Sequence, residues 1–422
     1  MPSPSSPKYA DIPVITLDPS GADHQGEAAR LRAAGEATGG LVRVGLPGGL
    51  VVWAVTTHEL VEQVVRSPDM SKNYKTWTAY KTGELTPDNP IIGMIAVDNL
   101  VTADGEDHRR LRRPITTTFT GRRVEALLPS VTATVDALLD ALPGHADADG
   151  VVDLRAHYCA PLPLRVICEL LGVPEAEWPR LRHLVDSIFR TDTTPEQVAA
   201  VMADIPRFLG ELIAVRAAEP GEDLTSALIA ARTEGTTTMS DRELADTLWV
   251  LLTAGHETTI GLIGNTIRAL LSHPDQLALA LAEDRFADAV TETLRWDSSI
   301  GNFLARYPVR DVEIAGVTIP AGDAIMAPYT AVGRDPHHHG ATAEVFDLTR
   351  DQRPHLAFGA GRHICPGSHL AQQQATLAVK SLFTRYPDMV LAFSGDPKPV
   401  PSLFTNALTE IPVRLTGRVE QG

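Results

Sequence analysis

The chain has 422 residues, 44% of them hydrophobic and 21% charged, and its 37 Lys plus Arg against 53 Asp plus Glu give a formal net charge of −16. This composition is typical of a globular protein with a large core, and it excludes a disordered chain or a small disulfide-stapled scaffold. The acidic total argues against a general nucleic-acid surface, because such a surface needs an excess of Lys and Arg.

The cysteines and the amino-terminal segment bear on the cellular compartment. Cys159, Cys168 and Cys365 form no CxxC pair, so neither a disulfide framework nor a thiolate zinc site is expected. The first residues lack the basic and then apolar order of a signal peptide, and no run approaches the ~18 apolar residues of a membrane span. We therefore expect a cytoplasmic protein without membrane or nucleic-acid partners.

The amino-terminal half predicts a surface arm, a hairpin and then helices. Residues 1–20 are rich in Pro and Ser and predict an irregular arm, followed by a short helix around residues 26–34. Two β-branched runs between Leu41 and Val55 flank a Pro-Gly-Gly turn and predict a hairpin. From Thr57 to about Ser272, apolar residues recur three and four apart, which predicts helices. Breaks in these helices are expected at Pro68, Pro90, Pro114, Pro129, Pro143, Pro174 and Pro206.

One long helix dominates this region. Ser240 and Glu243 form a capping-box pattern, and the apolar run continues to Ser272, which predicts a helix of ~33 residues and ~50 Å. Its interior is apolar on nearly every face, so we expect it to be buried all round and to cross the molecule. The polar residues at 255–259 interrupt it midway.

The carboxy-terminal part predicts strands, a meander and a last helix. Beyond Trp296 short strands are expected with turns at Gly316 and Gly322, then a Pro, His and Gly rich meander over 333–362, and a helix from near Cys365 to Pro387. No internal repeat or linker is evident. The expected architecture is one domain over 1–422, mainly α with a smaller β portion.

The meander ends in FGAGRHICPGSHLA, residues 358–371, which places Cys365 where a Gly-rich loop enters a helix. The free amides and the positive end of that helix lower a thiol pKa and favour metal ligation. A buried, inert cysteine is the alternative. Gly359 and Gly361 can let the backbone approach a flat cofactor. A dinucleotide loop is excluded, because Ile364 occupies the position of its third glycine.

This stretch resembles the haem-binding loop of the cytochrome P450 superfamily, of the soluble bacterial, actinobacterial-like type. The family pattern Phe-Gly-x-Gly-x-His/Arg-x-Cys-x-Gly is matched at every defined position. The resemblance implies a P450 fold, with a long distal helix over haem b and a cysteine-ligand loop on the proximal side. It also implies that Cys365 is the axial thiolate of the iron and that Phe358, Gly359 and Gly367 contact the haem.

A second motif is ETLR, with Glu292 and Arg295 one helical turn apart. Such a pair is usually exposed to solvent and contributes a few tenths of a kcal/mol. The resemblance implies instead a buried structural pair that anchors the meander behind the haem. The family usually adds an Arg from the meander, which AEVF at 343–346 lacks, and Arg350 is the expected substitute.

A third motif, AGHETT, lies inside the long helix at 254–259. It is not the HExxH of a zinc protease. Thr258 can bond back to a carbonyl one turn earlier, and Glu257 can pair with a nearby cation. The resemblance implies that Ala254 and Gly255 leave room for O2 over the iron, while Thr258 and Glu257 organise water and deliver protons. His256 is interpreted as structural.

A fourth motif, DHRRLRR at 107–113, is rich in cations. A cationic cluster is usually a solvated helix face. The resemblance implies that the haem propionates are held by four residues, namely His108, Arg112, Arg306 and His363. A basic patch that steers an acidic electron donor is expected from the other cations of this side, namely Arg109, Arg110, Arg113 and Arg362.

The run His337, His338 and His339 can suggest metal binding, but it lies in a polar turn and is interpreted as solvated. The resemblance also implies a mainly apolar substrate pocket, consistent with a steroid, macrolide, terpenoid or other secondary metabolite. Its expected residues are Met94, Val97, Phe189, Ile300, Asn302, Phe303, Leu403 and Phe404.

The resemblance implies a monooxygenase that activates O2 and hydroxylates a hydrophobic small molecule. The segment after Cys365 is too short for a fused reductase, so electrons are expected from a separate ferredoxin and an NAD(P)H-dependent ferredoxin reductase. Alternatives are a P450 that catalyses epoxidation or oxidative coupling, and a peroxide-driven peroxygenase, against which Glu257 and Thr258 count. A haem-thiolate sensor or carrier is the non-enzymatic alternative.

Overall fold

The computed structural model describes residues 12–118, 121–235, 238–351 and 353–416. The helices are α1 (His24–Glu36), α2 (His58–Arg66), α3 (Thr78–Thr82), α4 (Ile92–Ile95), α5 (Gly105–Thr118), α6 (Gly121–Ala141), α7 (Pro161–Leu171), α8 (Trp178–Phe189), α9 (Pro195–Ala218), α10 (Leu224–Thr233), α11 (Asp241–Ser272), α12 (Pro274–Glu283), α13 (Phe286–Trp296), α14 (Tyr329–Val332), α15 (Pro336–His339) and α16 (Ser368–Arg385). The strands are β1 (Val14–Thr16), β2 (Leu41–Gly45), β3 (Val51–Val55), β4 (Met70–Ser71), β5 (Val151–Asp153), β6 (Asn302–Pro308), β7 (Val312–Ile314), β8 (Val317–Ile319), β9 (Ile325–Pro328), β10 (Val390–Leu391) and β11 (Pro412–Arg414). The expected mainly α architecture is confirmed.

The main sheet has six strands in the order β1-β2-β3-β9-β6-β4. The predicted hairpin is confirmed, since β2 and β3 are antiparallel with Leu41 opposite Val55. Part of the expected irregular arm is instead a strand, because β1 pairs in parallel with β2. The buried side chains of Ile12 and Leu17 flank β1 and hold it against the sheet, while residues 1–11 lie outside the described residues.

Helix α11 is the long helix predicted from the sequence. It has 32 residues, and Ser240 and Glu243 form both hydrogen bonds of the capping box. At 1.5 Å per residue its length is about 48 Å. It packs against α7, α8, α9, α13 and α16, so its middle turns are surrounded by other helices.

Three of the expected helix breaks are wrong. Pro114, Pro129 and Pro206 lie inside α5, α6 and α9. A proline inside a helix costs about 3 kcal/mol through its missing N–H and its ring. Here the buried apolar faces of these helices, such as Leu111 and Ile115 on α5, offset that cost.

One helical stretch, Val124–His145, is long and apolar enough to cross a membrane by length and composition alone. Core helices that never meet a membrane pass the same test. Val131, Val135 and Leu139 on this stretch are buried in the core cluster that also contains Val379 and Leu382 of α16. Packing against α16 therefore accounts for its apolar stripe.

Two apolar clusters lie along α11. One joins it to α6, α7, α13 and α16, and the other joins it to α5 and to α7 through α10. The loop that carries Cys365 approaches the middle of α11 between these clusters. The space enclosed there is the candidate active site.

Candidate active site

A cavity lies between the middle of α11 and the loop that precedes α16. Many of the residues singled out in the sequence line it, namely Arg112, Ala254, Gly255, Thr258, Ile300, Phe303, Arg306, Phe358, Gly359, His363, Cys365 and Gly367. The structure thus brings the third and fourth motifs and the cysteine loop into one site.

Other predicted site residues are not part of the cavity lining. His108 and Glu257 are buried behind it, and the remainder of the predicted substrate pocket consists of Met94, Val97, Phe189, Asn302, Leu403 and Phe404. Phe189 packs in the cluster of α7 through α10, and Leu403 and Phe404 pack in the cluster under the sheet. The amide of Asn302 donates to the carbonyl of Leu403 at 3.0 Å. Of the predicted substrate-pocket residues, Ile300 and Phe303 therefore line the cavity and the other six do not.

The sequence missed much of the lining, which is largely apolar. The residues are Lys72, Leu100, Val101, Pro163, Val166, Ile167, Leu251, Thr259, Leu262, Leu294, Ser298, Ser299, Tyr329, Ala357, Pro366, Leu370, Ala371 and Gln374. Helical periodicity could have found some of them, because Leu251 and Leu262 share one face of α11 with Ala254, Gly255 and Thr258. The others come from distant segments without a local signal.

The cysteine loop is held by backbone contacts. The amide of Cys365 donates to the carbonyl of Phe358 at 2.9 Å. Gly359 lines the cavity at φ +68°, as expected for a close approach. Gly361 serves another purpose, because a Cβ there would lie 3.3 Å from the backbone of Val65 and Arg66 on α2. Its small size lets the loop contact that helix.

The amides at the start of α16 lower the pKa of Cys365 as expected, but burial of the thiol outweighs them. Burial raises the pKa, and the amides of Gly367 and Ser368 at the start of α16, together with Arg112, only partly oppose this effect. A metal cation reverses the balance, because a coordinating thiol loses its proton. By contrast, the buried thiols of Cys159 and Cys168 have pKa values of about 12, as burial disfavours their charged forms.

Buried cations converge on one wall of the cavity. Lys72 and Arg306 are only 5% and 6% exposed, and Arg112 and His363 also line the cavity. Burial lowers the pKa of Lys72 well below its usual range, with nearby Arg306 acting in the same direction. Among the residues that the structure describes, none that lines the cavity has an acidic side chain. Asp104, outside the lining, partly offsets these charges, and the wall favours an anionic ligand, because buried charges need partners.

Unsatisfied polar atoms point to the same conclusion. Nε2 of His108 and Nε2 of His363 are buried without a hydrogen-bond partner, and the two rings lie 4.2 Å apart. Burial lowers the pKa of both imidazoles. Since buried polar atoms are normally hydrogen-bonded, these residues fit a cofactor that carries carboxylates, as haem does with its propionates.

The middle of α11 presents a hydroxyl to the cavity. Thr258 Oγ1 donates to the carbonyl of Ala254 at 2.6 Å, so its lone pairs remain able to accept a hydrogen bond. This hydrogen bond to a carbonyl one turn earlier is the one that the sequence analysis considered. One turn away, a Cβ on Gly255 would lie 3.0 Å from Ile167 Cδ1. The absence of a side chain there brings α7 close to α11.

Glu257 lies on another face of α11 and is only 2% exposed. Its Oε1 accepts a hydrogen bond from Arg155 Nη2 at 2.8 Å, while its Oε2 has no partner. Arg155 is thus the cation with which the sequence analysis allowed Glu257 to pair. Burial raises the Glu257 pKa, and Arg155 opposes that shift. Burial also lowers the pKa of neighbouring His256 to about 3, so that imidazole is neutral.

The Glu292–Arg295 pair is fully buried, with both side chains 0% exposed. Two hydrogen bonds of 2.7 and 2.9 Å join them, and Arg295 also donates to carbonyls of the meander, those of Gly333, Ala343 and Val345. Arg350 Nε lies 3.5 Å from Glu292 Oε1, as expected. Arg353, which the sequence did not suggest, lies 3.9 Å from the other oxygen.

Two of the four cations of the expected basic patch are paired with carboxylates. Arg109 pairs with Glu106, and Arg110 pairs with Glu243 at 2.5 Å and with Asp107 at 3.2 Å. Arg362 donates to the carbonyl of Ser67 at 2.6 Å, and Arg113 is exposed. Carboxylates therefore compensate the charges of Arg109 and Arg110, whereas those of Arg113 and Arg362 remain to form a smaller basic patch.

Fold and site together define a haem-thiolate protein, and comparisons with known proteins agree. The family model described as Cytochrome P450 matches residues 286–409. The 2-hydroxy-5-methyl-1-naphthoate 7-hydroxylase of Streptomyces carzinostaticus is 38% identical over 95% of this chain and 97% of its own length. The monooxygenase PikC of Streptomyces venezuelae is 37% identical over 96% of this chain and 95% of its own. The structure "Testerone bound CYP154C4" from Streptomyces sp. ATCC 11861 has a TM-score of 0.91 and 39% identity, covering 96% of this chain and 98% of that chain.

The chain belongs to the cytochrome P450 family. It is a P450 monooxygenase whose cofactor is haem b. Because the named relatives are hydroxylases and monooxygenases, the sensor or carrier alternative is set aside.

Proposed function

We propose that this protein hydroxylates a hydrophobic polycyclic small molecule, using O2 and electrons from a separate ferredoxin and NAD(P)H-dependent ferredoxin reductase in the cytoplasm. One observation carries the proposal: a single cavity, mostly apolar, has Cys365 on one side and the Ala254 to Thr258 face of α11 on another. The activity named for the naphthoate hydroxylase and the ligand named for CYP154C4 support this class of substrate.

Bound haem with a thiolate ligand supplies the O2 activation that amino-acid side chains cannot. Cys365 is its proposed ligand, because its side chain lies in the cavity lining opposite α11. The proposed partners of the propionates are His108, Arg112, Arg306, His363 and, in addition, Lys72.

Thr258 and Glu257 are proposed to handle protons. The Thr258 hydroxyl, already donating to Ala254, accepts a hydrogen bond from water in the cavity and holds it in place. Glu257 has a raised pKa, so it can hold a proton at a pH where an exposed carboxyl cannot. Because Arg155 keeps it off the cavity wall, transfer to Thr258 passes through water or follows release from Arg155.

The substrate is proposed to contact Leu100, Val101, Leu251, Ile300 and Phe303, the apolar part of the lining. Apolar walls with few polar groups favour ligands that are hydrophobic and rigid. Residues outside the lining are proposed to support this wall from behind, namely the partly buried Met94 and Val97 and the buried Phe189, Asn302, Leu403 and Phe404.

Titration of the ferric holoenzyme with candidate substrates tests the proposed substrate class. A low-spin to high-spin shift is expected with testosterone or with 2-hydroxy-5-methyl-1-naphthoate, followed by product formation with ferredoxin, reductase and NADPH. Turnover with peroxide alone at the same rate would favour the peroxygenase. A shift with macrolides and none with polycyclic compounds would contradict the proposed class.

Thr258→Ala is expected to uncouple electron consumption from product formation. The variant loses the hydroxyl that holds water in the cavity, so product formed per NADPH consumed should fall at least about tenfold, since positioned proton transfer contributes about 10²–10⁴-fold to a rate. Thr258→Ser is the matched control, since it retains the hydroxyl and should retain most of the coupling. Equal coupling in Thr258→Ala and the wild type would argue against this role.

Lys72→Met and Arg306→Met are expected to release haem faster. Each removes one charge-assisted hydrogen bond of about 1.5–3 kcal/mol, which corresponds to roughly 10-fold to 100-fold in the rate of haem transfer to apomyoglobin. Arg109→Met is the control, because Arg109 is exposed and paired with Glu106. Unchanged transfer from Lys72→Met would remove Lys72 from the proposed set.

A further inference from the structure

Three histidines meet outside the haem cavity. His58 is the first residue of α2, and His338 and His339 end α15. One ring nitrogen from each lies within 4.8 Å of the others. The rings of His58 and His338 stack at 3.6 Å, and His339 lies edge-on to His58 at 5.6 Å. The interpretation of the run as solvated is wrong for His339, which is buried, whereas His337 and His338 are exposed.

Two of these imidazoles carry unsatisfied nitrogens. His58 is 4% and His339 is 9% exposed, and Nδ1 of His58 and Nε2 of His339 are buried without a hydrogen-bond partner. Buried polar atoms rarely remain unpartnered, and each such atom requires an explanation. Burial also lowers the pKa of His58 to about 4 and of His339 to about 3, so both are in the neutral form that binds metals.

Asp335 joins the two elements that carry the cluster. Its carboxylate accepts hydrogen bonds from the backbone amides of His58 at 2.9 Å and His337 at 3.0 Å. It is also a buried negative charge beside the cluster, which favours a cation there. Arg295 and Arg350, the cations near His339, already face Glu292.

We propose that His58, His338 and His339 bind one Zn²⁺ ion at a site separate from the haem. Imidazole nitrogens suit Zn²⁺, and three of them with a water complete a tetrahedral site at 2.0–2.1 Å. The ligand nitrogens must then approach to about 3.3 Å of one another. His338 is exposed, so its ring can leave the stack with His58 and turn toward the ion.

The ion would fasten α2 to the meander. The carbonyl of His339 accepts a hydrogen bond from Arg350 at 3.3 Å, and Arg350 in turn faces Glu292. Zn²⁺ therefore supports the segment that the buried Glu292–Arg295 pair anchors. Because binding only to the folded state stabilises it, the ion should raise the melting temperature.

Calorimetric titration of the tag-free, chelator-treated holoenzyme with ZnCl2 tests the proposal, with metal analysis to count bound zinc. One Zn²⁺ per chain is expected. His338→Ala should weaken binding at least about tenfold, and its exposed side chain makes this variant safe for folding. His337→Ala, a change at the exposed neighbour in the same run, is the matched control and should bind as the wild type does.

Melting temperature with and without ZnCl2 gives a second readout. The increase is expected in the wild type and in His337→Ala and not in His338→Ala, with an unchanged Soret spectrum in all three. Absence of saturable one-to-one binding would overturn the proposal. Equal losses of affinity in His337→Ala and His338→Ala, or an equal rise in melting temperature in the wild type and His338→Ala, would also overturn it.

Discussion

Cys365→Ser is expected to abolish the strongly red-shifted Soret band of the reduced, carbon-monoxide-treated holoenzyme and to reduce hydroxylation to background. Serine has nearly the same shape as cysteine, but its hydroxyl does not provide a thiolate to the iron. The loop itself should persist, because the amide of residue 365 still donates to the carbonyl of Phe358. Carbon-monoxide difference spectra at matched haem content measure the effect.

Cys168→Ser is the matched control for this substitution. Cys168 is a buried free cysteine on α7 that packs in the apolar cluster of α7 through α10 and does not line the cavity. The variant should keep the red-shifted band in full. A red-shifted band that survives in Cys365→Ser would refute the assignment of Cys365 as the ligand.

Glu292→Gln is expected to destabilise the folded holoenzyme by about 3–5 kcal/mol, because it leaves the buried Arg295 without a countercharge. This carboxylate faces Arg295, Arg350 and Arg353, so its neutralisation weakens three charge interactions at once. The meander should loosen with it, since Arg295 donates to three of its carbonyls. Denaturant unfolding followed by circular dichroism measures the change.

Glu283→Gln tests whether burial of the carboxylate is the reason for the expected loss of stability in Glu292→Gln. Glu283 ends α12 and lies 4.0 Å from Arg285, with its side chain 60% exposed. The unfolding midpoint of this variant should match that of the wild type, as expected for an exposed ion pair. Equal midpoints for Glu292→Gln and the wild type would mean that the pair does not anchor the meander.

The buried cations predict that a cofactor carrying carboxylates stabilises the folded protein. Lys72 and Arg306 lie close enough for Arg306 to lower the Lys72 pKa further, so their mutual repulsion adds to the loss of hydration. Two carboxylates at this wall would oppose the lowering of the Lys72 pKa. Haem binding and folding should therefore be linked through charge compensation.

Features carried by short stretches were predictable from the sequence. Ser240 and Glu243 mark the start of α11 because a capping box needs only residues three apart, and the hairpin over 41–55 follows from its turn and β-branched runs. The spacing within FGAGRHICPG likewise placed Cys365 between a loop and a helix. In each case the deciding interactions lie within a few residues of the chain.

Only the tertiary structure decided which distant residues meet. Lys72 on the cavity wall, Arg155 against Glu257, and His58 beside His338 and His339 come from segments far apart in the chain. The tertiary structure also decided that Pro114, Pro129 and Pro206 lie inside helices, because packing of the apolar helix faces outweighs the local preference of proline. A sequence determines local backbone propensity and motif spacing, but burial and charge pairing depend on which surfaces the fold brings together, and these energies set the chemistry of the site.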